Sequence, residues 1–257
     1  MRLAIFTVLV SGLLATASAA APNGFSAHRF NGRDPVQSGT VTTFHVLPGD
    51  CSDVTYGDGR GESDCYNGNL RSRLAYRNHA RLGDAMQYQM EIMVPPGFRY
   101  GGGPNRRSKL EVAEWQRINT IKNHIHQLHL DSVKGLTFDD VRCIAPNALS
   151  QWNRVTVQVK WSMNDDGLLR VLCNDKVVVH RQGRTAIPPD CGAPQVFQCI
   201  PKYQEPEKPI QFQIGILFRG YGTRARQDGL NPKGRIAPPE GFTVQMRNVK
   251  VSRIRFN

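Results

Sequence analysis

Apolar and polar residues alternate over much of this chain, and that two-residue period is the mark of half-buried β-strands. Thr40 to Val46, Asn69 to Tyr76 and Asp84 to Val94 read as strands, the last one ended by Pro95-Pro-Gly. Ile121 to Leu130 alternates without a Gly or Pro. On a regular strand it would place Gln127 and His129 with Ile125 on one face, and His124, His126 and Leu128 on the other. From Gln151 to Ser162, Val155, Val157 and Val159 face one way and Thr156, Gln158 and Lys160 the other. The turns Asn164-Asp-Asp-Gly167 and Asn174-Asp-Lys then lead into strands at Leu168 to Cys173 and Val177 to His180, a β-meander. Ile210 to Arg219 and Phe242 to Phe256 are the last strands, and Leu110 to Ile118 alone has a short helical reading. Many strands at close spacing, with turn signals between them, predict an all-β sandwich of the jelly-roll kind.

The first twenty residues stand apart from this pattern. Arg2, the apolar run Leu3 to Leu14 and the small residues Ala15 to Ala20 read as a secretory signal, the run being short for a bilayer. The remaining 21–257 then form one expected domain, for no linker or internal repeat divides them. A secreted or periplasmic protein is expected, with no membrane insertion.

Charge narrows the partner. The formal net charge is +12, of which Arg2 contributes one. Such an excess favours a polyanion: nucleic acid, an anionic membrane surface or an acidic polysaccharide. Export argues against nucleic acid, and no amphipathic basic helix supports membrane binding. Six cysteines (Cys51, Cys65, Cys143, Cys173, Cys191 and Cys199) suit disulfides in an exported chain, with 15 pairings open to six. Cys51 with Cys65, and Cys191 with Cys199, would each close a loop rich in Gly, Pro or Asp. No C-x-x-C spacing supports zinc.

Candidate chemistry lies on three strands read together. Asn69, Arg71, Arg73 and Ala75 share one face of an early strand. Gln211, Gln213, Gly215, Leu217 and Arg219 share one face of a late strand, with Phe212, Ile214, Ile216 and Phe218 opposite as core. Joined to Gln127 and His129, these faces would offer arginines, amides and a histidine, with Gly215 where a ligand could come close. Arginine grips carboxylates in a bidentate fork, so the set suits a chain of carboxylated sugars. Other chemistries fit poorly. His129 points away from His124 and His126 on a regular strand, which leaves a metal without its third ligand. A retaining glycosidase needs two carboxylates roughly 5–5.5 Å apart, and no strand carries such a pair in the required pattern.

Three of these segments, Arg71-Ser-Arg-Leu74, Gln127-Leu-His129 and Gln211-Phe-Gln-Ile-Gly-Ile-Leu217, resemble in order the motif strands of alginate and glucuronan lyases. The meander from Trp152 to Val179 and the closing Val244-Gln-Met-Arg-Asn-Val-Lys-Val strand are similar to the related heparin-lyase-like proteins. The resemblance implies a jelly roll of the concanavalin A-like type and β-elimination across a uronic acid. It implies that Gln127 and Arg71 hold the carboxylate, with His129 as base or neutraliser. It requires no cofactor, a structural calcium being the one ion the class sometimes holds. A monomer acting on an acidic polysaccharide is expected, with Asn69, Arg73, Gln213 and Arg219 binding substrate. Two positions depart from the family. Arg73 replaces its glutamate, and Leu217 replaces its tyrosine, the usual proton donor. Tyr221 falls on the same side of that strand if it continues regularly, and Tyr66 or Tyr100 could enter from a loop. A non-catalytic binding protein on the same fold is the alternative.

Overall fold

The structure is a computed structural model that describes residues 21–55, 63–100, 109–118, 124–187, 208–219 and 237–256. Its strands, in chain order, are β1 (Phe25–Ala27), β2 (Val36–Ser38), β3 (Val41–Val46), β4 (Leu70–Tyr76), β5 (Ala85–Met93), β6 (Lys109–Arg117) and β7 (His124–Asp131). There follow β8 (Gly135–Phe138), β9 (Val141–Ile144), β10 (Asn153–Lys160), β11 (Leu168–Cys173), β12 (Lys176–Gln182), β13 (Ile210–Arg219) and β14 (Phe242–Arg253). One short helix, α1 (Asp64–Asn67), precedes β4; Ser63 caps it by accepting from the Tyr66 N–H, and Gly68 ends it in the left-handed region.

Two antiparallel sheets of seven strands form a jelly-roll sandwich. One runs β1-β4-β13-β6-β7-β8-β9 and the other β12-β11-β10-β5-β14-β3-β2. Their facing sides bury an apolar core in which Trp115 stacks on Phe212 at 4.9 Å between centroids, with Tyr88 of the opposite sheet against both rings. Removing these side chains from water is the main force holding the sheets together. Among the described residues no helix is long and apolar enough to cross a membrane.

The expected strands form with small shifts at their ends, and β1, β2, β8 and β9 are additions. The helical reading of 110–118 is wrong, for these residues are β6, paired with both β13 and β7. Irregularities interrupt this pairing. Val112 is an extra residue on β6 between the pairs Glu111–His129 and Ala113–Leu128. Ile125 is an extra residue on β7 between Trp115–His126 and Gln116–His124. Each such bulge brings residues three apart onto one face. Gly215 sits at a third irregularity, with φ of 103°, and a Cβ there would lie 2.4 Å from both Phe44 Cδ1 and the Ser72 carbonyl oxygen. It therefore makes room for the opposite sheet, where a ligand-facing role was expected.

Disulfides join Cys51 to Cys65, as the loop composition favoured, and Cys143 to Cys173. Cys191 and Cys199 lie outside the described residues, as does the leader segment.

Candidate active-site cleft

The outer face of β4, β13, β6 and β7 forms the floor of a cleft of about 740 Å³. The segment from Ser26 to Phe30 makes one wall, and Asn69, Arg71, Gln116, His124, Gln211, Leu217 and Arg219 line the rest with Glu114.

Beneath this surface lies a buried ion network. Arg73, Glu111, Glu114 and Gln213 are all at most 1% exposed. Arg73 donates from Nη1 to Glu114 Oε2 at 2.5 Å and to Gln213 Oε1 at 3.2 Å, and from Nη2 to Glu111 Oε2 at 3.2 Å. Arg219 donates from Nε to Glu111 Oε1 at 2.5 Å, and its Nη2 lies 3.5 Å from Glu114 Oε1. Burial works against both carboxylates, but the basic side chains hydrogen-bonded around them outweigh it. His124, Arg73 and Arg219 hold Glu114 well below the usual carboxylate range, and Arg219 with Arg73 lowers Glu111. Arg73 and Gln213, expected to bind substrate, are instead buried in this network beneath the cleft surface. The positive charge of Arg73 sits between two glutamates supplied by β6.

Above that network the histidines are arranged differently from the regular-strand expectation. The bulge at Ile125 turns His124 outward, where its side chain is 39% exposed and its Nδ1 hydrogen-bonds Glu114 Oε1. Gln127 donates to the same Oε1 at 3.0 Å, and its own carbonyl oxygen accepts from His129 Nε2 at 3.1 Å. Gln127 and His129 are therefore adjacent, as the strand period predicts, but neither lines the cleft with His124. Arg219 Nη2 approaches the two ring nitrogens of His124 at 3.3 and 3.4 Å.

Arg71 is oriented from outside the sheet. Its Nε and Nη2 donate to Asp64 at 2.6 and 3.0 Å, and Asn69 donates to the same carboxylate at 3.2 Å. Asp64 is fully buried at the start of α1, beside the Cys51–Cys65 bridge. Fixing Nε and Nη2 leaves Nη1 of Arg71 for a ligand.

Leu217 lines the cleft, and no tyrosine is among the described lining residues. Tyr100 is buried against Phe218 and Phe242, and Tyr66 belongs to α1; Tyr221 lies outside the described residues. No cluster able to hold a metal occurs among the described residues.

Glu111, Glu114, His124 and the wall residues His28, Arg29 and Phe30 escaped the sequence reading. A Glu-x-x-Glu spacing on β6 was a usable signal once a bulge is allowed. The wall carries no period that would mark it.

No family model matches the chain, and no curated protein matches it. Its structure is similar to that of an endo-β-1,4-glucuronan lyase from the fungus Trichoderma reesei, with a TM-score of 0.52 and 13% identity over 94% of this chain and 92% of that one. It also matches an alginate lyase from Pseudomonas aeruginosa, with a TM-score of 0.46 and 13% identity over 86% of each chain. At such identities the likeness is one of fold. The chain has a polysaccharide-lyase-like fold.

Proposed function

We propose that the cleft binds an acidic, uronate-containing polysaccharide and cleaves it by β-elimination. The observation that carries this reading is the convergence of Arg71, Arg219 and His124 around one polar cleft, above buried glutamates. Arg71 and Arg219 would take the uronate carboxylate, which makes the C5 proton more acidic, and stabilising that developing charge is the largest expected contribution.

His124 is the base in this scheme, in preference to His129, because it faces the cleft while His129 is turned to Gln127. Donation from its Nδ1–H to Glu114 leaves the Nε2 lone pair to accept the C5 proton. The C–H electron pair becomes the C4–C5 double bond, the C4–O4 bond breaks, and O4 leaves with a proton. When C5–H and O4 lie on one face of the sugar, the same Nε2–H returns that proton to O4, and the imidazole is regenerated. Tyr221 is the other proposed donor. The disulfides suit an oxidising, extracytoplasmic compartment for such an activity.

A second reading, a binding protein without turnover, is favoured by one observation: Leu217 stands in the tyrosine's place. Ultraviolet absorbance of the new conjugated double bond separates the two on a panel of glucuronan, alginate, heparin and hyaluronan. A rise with one polymer, reduced at least about 10²-fold by His124→Gln, is the expected result. Binding with no rise on any polymer would replace the lyase with the binding protein.

A further inference from the structure

The cleft's arginines are not equal. Arg71 is neutralised by Asp64, and Arg73 with Arg219 is neutralised by Glu111 and Glu114. Arg29 lines the same cleft, is exposed, and has no acidic partner among the described residues. Its charge is available to a uronate beyond the one that Arg71 and Arg219 take.

Its surroundings are built and held in place. The Arg29 guanidinium carbon lies 4.3 Å from the centroid of the Phe30 ring, and that of Arg71 lies 5.7 Å from the same centroid. One aromatic ring thus gathers two cations, an arrangement its negative π-face favours. His28 completes the group, 5.4 Å from Phe30 between ring centroids. Burial, then Arg71 and Arg73, push its pKa down to about 3, so the ring adds no charge at neutral pH. Its Nδ1 accepts the Phe30 N–H at 3.3 Å, which puts the ring proton on Nε2 as a donor.

The backbone is fastened to β4 on both sides of the cluster. The His28 N–H donates to the Arg73 carbonyl at 3.0 Å, and the Gly32 N–H to that of Arg71 at 3.0 Å. Asn31 accepts from the Arg73 N–H at 2.8 Å and donates to the Arg73 carbonyl at 2.9 Å. A Cβ on Gly32 would lie 2.2 Å from the Asp50 backbone, so the chain here is pressed against the loop after β3. Such a wall meets a ligand preorganised, without an ordering cost at binding.

We infer that Arg29, Phe30 and His28 form a subsite that receives a second uronate residue of the polymer, beside the one that Arg71 and Arg219 hold. Arg29 pairs with the carboxylate, Phe30 packs against the sugar ring, and His28 Nε2–H meets a hydroxyl. This subsite rests on the proposal that the cleft takes a uronate polymer, and it names a further contact that distinguishes a uronate from a neutral sugar.

The test compares binding of the full chain to polyglucuronate and to the same polymer with its carboxyl groups reduced to alcohols. Arg29→Gln, Arg29→Lys and Phe30→Ala are measured beside the wild type, by affinity electrophoresis or calorimetry. The wild type should prefer the acidic polymer, and Arg29→Gln should weaken its binding at least about tenfold while leaving binding of the reduced polymer unchanged. Arg29→Lys should restore part of the preference, and Phe30→Ala should weaken both polymers. Full preference retained in Arg29→Gln, with wild-type binding intact, would overturn the subsite and leave the cleft proposal standing. A wild type that binds neither polymer would overturn both. Arg29 is exposed, and intact folding of each variant is checked by its thermal unfolding.

Discussion

Strand β7 carries two histidine–carboxylate pairs within three residues, and they stand in opposite surroundings. His124 pairs with Glu114 on the cleft face, half in water. His126 pairs with Asp139 Oδ2 at 2.9 Å, is fully buried, and lies between Trp161 and Phe138 at 6.1 and 5.2 Å centroid to centroid. Asp139 also accepts the Gln127 backbone N–H at 3.0 Å, so the inner pair ties β7 to the turn after β8. The chemistry of the pairs is the same. What separates the two is access to water, and the bulge at Ile125 decides which histidine has it.

The contrast can be broken most severely from below. Arg73→Ala would leave Glu111 and Glu114 buried with only part of their compensation, and a loss of about 3–5 kcal/mol is expected in urea unfolding. A smaller loss would mean that the two glutamates take up protons or water at little cost. Next in size, His126→Ala should cost about 2–4 kcal/mol through its cavity and the stranded Asp139. His124→Gln, by contrast, should change stability by no more than about 1 kcal/mol, because Gln127, Arg73 and Arg219 still compensate Glu114. Equal effects for the two histidines would remove the distinction between them.

A third measurement sharpens the comparison through pH. His28 is held neutral in the folded chain, at about 3 against 6.5 in the unfolded one. A depressed folded value stabilises fully above pH 6.5, and that stability drains away as the unfolded chain takes up protons on acidification. Melting temperature should therefore fall between pH 6.5 and about 4.5, with a smaller share from His79, which burial also lowers. Below that window Glu111 and Glu114 add to the loss. His28→Asn should flatten the upper part of the curve. An unchanged slope would mean that His28 takes its proton without unfolding.

Much of the sandwich was legible because its strands keep a strict two-residue period, from Thr-Thr-Phe-His-Val in β3 to Val155, Val157 and Val159 in β10. β6 was not legible, and neither was the face of His124, for a single physical reason. Glu111 with Glu114, and His124 with Gln127, are three residues apart, a spacing that signals a helix face or, on a regular strand, opposite sides. A bulge converts that spacing into a shared strand face, and nothing in side-chain identity announces it. Arg71 needed no such correction, since it reaches the cleft from an uninterrupted stretch of β4 paired with β13. Arg73 lies on the expected face, yet the charges of β6 draw it out of reach.

The two disulfides have a mechanical meaning. Cys143 on β9 ties an edge strand of the cleft sheet to Cys173 on β11 of the other sheet. Cys51 and Cys65 lace the crossing from β3 to β4 at the opposite flank. One bridge thus joins the cleft sheet to its partner at the β9 edge, and the other closes the segment that leads into β4. Asp64, which holds Arg71, is next in sequence to Cys65, so the second bridge anchors the segment that orients a cleft arginine through a bond that does not itself line the cleft.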